Sequence, residues 1–91
     1  MSSSPLDPAG AYDPDAVAAT ARAADPGLPP EEAVSLAREA WGHLQEAGAK
    51  DAAEIARRLL SGPHATGATP ANVVAKAAVD FCQRNGIDPR A

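Results

Sequence analysis

TPANVVAKAAVDFCQRNGIDP, residues Thr69 to Pro89, carries the start and stop signals of one α-helix. The Thr69 hydroxyl can cap free N–H groups, and Pro70 suits the first helical position because its missing N–H has no partner there. At the other end Gly86 can take the left-handed backbone that closes a helix. Ile87 can fold back onto the last turn, and Pro89 forbids continuation. The spacing predicts a helix over 70–84. Its apolar positions cover most of the circumference, leaving only Asn72, Lys76, Asp80 and Gln83 as a narrow polar strip. Such a helix is either central to a bundle or offers a face to another chain.

Working upstream, Leu28-Pro29-Pro30-Glu31-Glu32 opens a helix over 30–47, with proline and acids where the helix dipole favours them. Val34, Ala37, Trp41 and Leu44 follow coiled-coil-like spacing on one arc, and Trp41 is the expected core anchor. Glu31, Ser35, Arg38, Glu39 and Gln45 fill the solvent arc, and Gly48 ends the helix. After the link Gly48–Lys50, a helix over 51–60 places Ala52, Ile55, Ala56 and Leu59 inward. Glu54 is spaced to pair with Arg58 on its outer face. Gly62-Pro63 closes that helix, and 61–68 form a loop containing His64.

Asp13-Pro14-Asp15 begins a fourth candidate helix over 14–24, stopped by Asp25-Pro26-Gly27. Val17 is its one large apolar residue, so it depends on docking. Residues 1–13 hold three serines, two prolines and a glycine among scattered acids, and read as a disordered leader. The expected organisation is an all-α bundle, with the leader 1–13 followed by a single domain over 14–91.

Composition limits that domain. Of its hydrophobic residues 23 are alanine, and Leu, Ile, Val and Phe together number 14, so the core is small. Domains of this kind often gain stability from a partner or a second copy. The net charge of −4 is uneven: residues 1–28 are acidic and residues 50–91 mildly basic, far short of a nucleic-acid stripe. Cys82 is the one cysteine, which excludes an internal disulfide and a cysteine-based zinc cluster and reads as a buried thiol. No apolar run is long enough to cross a membrane, and no signal-peptide pattern is present. A cytoplasmic protein without a membrane partner is the expectation. Six arginines to two lysines, amid abundant Ala, Pro and Gly, fit a bacterial, GC-rich coding bias.

No catalytic set assembles. His43 lies at the edge of an apolar arc, His64 in a loop, and Glu31, Glu32, Glu39 and Glu46 on a solvated face. No phosphate-cradling glycine loop follows a strand, because no strand pattern exists. Catalysis, a cofactor and a bound metal are therefore not expected.

Residues 53–75 resemble a helix-turn-helix unit. AAEIARRLL is similar to the first helix of bacterial helix-turn-helix DNA-binding domains, and GATPANVVAKA to the turn and the start of the recognition helix. That resemblance implies Asn72 and Lys76 facing DNA, with Arg57 and Arg58 near phosphates. The linker 61–68 is several residues longer than the usual tight turn, and Asp80 would face phosphate. TPANVVAKAAVDFCQRNGI also resembles the closing helices of small death-like adaptor domains in bacterial effector systems. The leading expectation is a non-enzymatic protein–protein adaptor or oligomerisation module that binds another protein or itself. Its anchors are expected among Trp41, Val73, Val79, Phe81 and Ile87. A small DNA-binding regulator is the alternative.

Overall fold

The computed structural model describes residues 12–48 and 51–90. Four helices follow in order: α1 (Pro14–Ala24), α2 (Pro30–Ala47), α3 (Ala52–Leu60) and α4 (Ala68–Asn85). No strand occurs among the described residues. The four elements agree with the spacing read from the sequence, and α1 does dock.

Local chemistry fixes most of the ends. The Asp13 carboxylate accepts from the backbone N–H of Asp15 at 3.0 Å and of Ala16 at 3.4 Å, so it caps α1. Asp51 caps α3 by accepting from Ala53 N–H at 3.0 Å, which starts that helix one residue after the expected position. Gly48, at φ 86°, ends α2. Gly86, at φ 66°, ends α4, and the N–H groups of Gly86 and Ile87 both reach the Cys82 carbonyl.

The start of α4 differs from its sequence signal. It begins at Ala68 behind Gly67, with no side-chain cap, so Thr69 lies inside the first turn. Pro70 is tolerated there because N–H groups of the first turn have no intrahelical acceptor. The expected leader needs a second correction. Tyr12 and Asp13 belong to the fold, as a ring contact and a helix cap respectively. Residues 1–11 lie outside the described residues, as do Ala49 and Lys50 of the α2–α3 link.

The α4 helix is the central element and touches each of the other three. Seven of its residues are buried: Ala71, Val74, Ala75, Ala77, Ala78, Val79 and Cys82. Covering an almost wholly apolar helix took a fourth element, and the Val17–Ala18–Ala21 face of α1 supplies it. The alanines allow helices to approach closely, so the core needs few large side chains. Leu36 and Leu44 of α2 and Ile55 and Leu59 of α3 are the largest wholly buried ones. Trp41 is not among them. It packs against the core from the edge and stays half-buried, which corrects the expectation of a central tryptophan.

Candidate interaction surface

The chain has one Tyr, one Trp and one Phe, and all three meet at one edge of the bundle. The Tyr12 ring stacks on Trp41 with centroids 4.7 Å apart and planes 17° from parallel. It also meets Phe81 edge-on at 5.9 Å and 83°. Both are favourable aromatic geometries. The Tyr12 hydroxyl donates to the Ala37 carbonyl of α2 at 2.6 Å. Asp13, the adjacent residue, caps α1, so one short stretch of chain ties α1, α2 and α4 together. Burial, and secondarily the nearness of Cys82 and Asp13, pushes the Tyr12 hydroxyl well above the usual phenol range. The hydroxyl therefore stays a donor at neutral pH.

Outside this cluster a concavity of about 260 Å³ opens between Tyr12, Pro14, Arg38 and Trp41. Arg38 also lines a larger concavity of about 550 Å³, with Ser35, Glu39, Pro63 and His64. Positions three and four apart share one face of a helix, so Ser35, Arg38, Trp41 and Gly42 run along α2 between the two. Arg38 is exposed and makes no hydrogen bond or ion pair among the described residues. Gly42 is exposed in mid-helix, and a Cβ built there would meet nothing within 4 Å. Neither packing nor a positive φ demands glycine at this position.

Further along α2 the charged groups satisfy one another. His43 Nε2 lies 3.2 Å from Glu39 Oε2, and Arg58 bonds both Glu54 at 3.0 Å and Glu46 at 3.1 Å. Arg57 pairs with Glu54 as well. The turn at Gly62 crosses α2 so closely that a Cβ there would overlap the Glu39 carboxylate. Glu39 is consequently only 16% exposed, and its Oε1 is buried with no partner. Sequence spacing had placed Glu39 on the solvent face, and the crossing turn overrides that. His64 is exposed in its loop. Among the described residues no three His, Cys, Asp or Glu side chains gather in a way that could hold a metal ion.

The other sequence candidates are dispersed. Val79 is buried at 5% exposure, whereas Val73, Phe81 and Ile87 are half-buried against the core. Asn72 and Lys76 are exposed on α4. Cys82 is buried, and burial raises its thiol pKa. Leu60, at 44%, is the one exposed large hydrophobic among the described residues. Sequence spacing brought forward Trp41 and Phe81 but missed Tyr12, Arg38 and Gly42 as their neighbours. The signal for Gly42 was present: a glycine within the apolar–polar rhythm of a helix that continues past it. None of the described helices is long and apolar enough to cross a membrane.

No protein-family model, no curated protein and no solved structure matches this chain.

Proposed function

We propose that this bundle is a non-enzymatic protein-interaction module of a bacterial cytoplasmic protein, binding another protein through its aromatic edge. One observation carries the reading: the only three aromatic residues of the chain gather half-buried at one edge while the core is filled by leucine, isoleucine, valine and alanine. Tyr, Trp and Arg are the residues that most often dominate binding energy at interfaces, and Trp41, Tyr12 and Arg38 stand together. The mid-helix glycine beside them leaves room for the backbone of a partner.

DNA binding ranks below this reading. Arg57 and Arg58, which it would aim at phosphates, are held by Glu54, and Arg58 by Glu46 as well. The polar strip of α4 offers Lys76 against Asp80, which gives little electrostatic attraction for a duplex.

The test is a photo-crosslinking amino acid placed at Gly42 and, separately, at Asn72, with irradiation in lysate of the source cell. A discrete adduct from position 42, competed by excess unlabelled protein but not by the Trp41→Ala variant, is the expected result. Salt-sensitive binding to duplex DNA that Lys76→Glu abolishes, with no adduct from position 42, would overturn the reading.

A further inference from the structure

We propose that the aromatic edge takes an extended peptide in which an aliphatic or proline side chain lies two residues before a carboxylate, so that both face α2. This rests on the interaction reading above and names the chemistry of the partner. The concavity between Tyr12, Pro14 and Trp41 has an apolar floor and a volume, about 260 Å³, suited to a single side chain. Arg38 lines both that concavity and the 550 Å³ one, and among the described residues no hydrogen bond or ion pair holds its guanidinium. Glu39, the carboxylate in the same wall, is already engaged by His43, and its second oxygen is closed to solvent. Among the described lining residues the wall therefore presents one cation without a partner and one carboxylate that is already engaged, which favours an acidic ligand over a basic one.

The route of the peptide follows from α2. In an extended peptide a side chain seated against Trp41 leaves the next one pointing away from α2 and puts the one after it over Arg38, the residue shared with the larger concavity of Ser35 and His64. A crossing backbone needs close approach to α2, and Gly42, one turn on from Arg38, removes the Cβ that would hold it away. A helix-interior glycine disfavours α2 relative to alanine, and a Cβ at this position would meet nothing within 4 Å.

Trp41 is the only tryptophan, so its emission reports on this concavity directly. The experiment titrates the intact protein with the probe peptide acetyl-Ala-Leu-Ala-Asp-Ala-amide. Two control peptides replace Asp by Asn or Leu by Gly. The expected result is a saturable change in Trp41 emission, about five- to tenfold tighter for Asp than for Asn. The Leu-to-Gly peptide should bind weakly. Arg38→Gln should erase the preference for Asp while leaving the fold intact. Gly42→Leu, which introduces a good helix former, should weaken the Asp and Asn peptides alike. Lys76→Gln should change neither. No saturable change up to about 5 mM, or equal binding of the Asp and Asn peptides, would overturn the inference. A crosslink from position 42 alongside a silent peptide titration would overturn this ligand chemistry and leave the interaction reading standing.

Discussion

Tyr12 lies flat on Trp41 at 4.7 Å while its hydroxyl reaches the α2 backbone at Ala37. Two residues 29 positions apart in sequence thus close one edge of a bundle whose interior is almost entirely aliphatic. The stacking partners are half-buried, and this divides their role from that of the leucines within.

That division predicts a ranking of mutants. Leu44→Ala should cost about 3–5 kcal/mol, because it empties a wholly buried site between packed helices. Trp41→Ala should cost less, about 1–3 kcal/mol, since part of the ring is already in water and its main loss is the aromatic stack. Tyr12→Phe keeps the stack and loses one hydrogen bond, about 1 kcal/mol. Chemical denaturation read by far-ultraviolet circular dichroism orders the three, and a Trp41→Ala cost equal to or above that of Leu44→Ala would place Trp41 inside the core.

Alkaline pH should unfold the bundle earlier than its net charge alone would. The folded state holds the Tyr12 hydroxyl above its ordinary value of 10.0 and the Cys82 thiol above 9.0, by burial in both cases. Raised folded-state values mean the folded chain retains protons that the unfolded chain releases. This stability is therefore fully present at neutral pH and is lost as pH climbs past 9.0 and then 10.0. Tyr12→Phe and Cys82→Ala together should flatten the alkaline limb of stability against pH, with no effect on its slope between pH 6 and 8 (about the neutral range).

Gly42→Ala should stabilise the free protein by about 0.5–1 kcal/mol, because alanine restricts the unfolded chain and its Cβ meets open space. Thermal melting measures it. A destabilised variant would mean that Gly42 serves packing after all.

Gly62→Ala should have the opposite sign. Its Cβ would overlap the Glu39 carboxylate, which the His43 contact holds in place. Displacing that carboxylate, the far end of a flexible side chain, should cost up to about 1 kcal/mol, the worth of its His43 contact. In a Glu39→Ala background the same change should cost much less, and this coupling, measured as a double-mutant cycle, separates a steric clash from a general loop effect.

The helices were legible because each one carries local signals: proline and acids at the start of α2, Asp51 before α3, and Gly86 after α4. Asp13-Pro14 marked α1 equally well, although only the apolar surface of α4 explains why so short an alanine-rich helix docks. What stayed hidden depends on distant residues meeting. Nothing near Tyr12 in sequence points to Trp41 or Ala37, so its stretch read as leader. Glu39 has the spacing of a solvent-facing residue and is covered only because Gly62 crosses it. Trp41 kept the spacing of a core residue, but alanines let the helices close up until no central space remained for an indole.

The central claim is that the Tyr12–Trp41 edge, not α3 or the start of α4, is where this protein binds. The most direct measurement is a ¹H–¹⁵N spectrum of the whole chain recorded while acetyl-Ala-Leu-Ala-Asp-Ala-amide is added. Trp41 contributes the only indole N–H resonance, so its position needs no assignment. Progressive shifts of that resonance, together with the backbone signals of Tyr12, Ser35, Arg38 and Gly42, are the expected result. Shifts centred instead on Arg57–Leu60 or Asn72–Lys76, with the indole resonance unmoved, would contradict it.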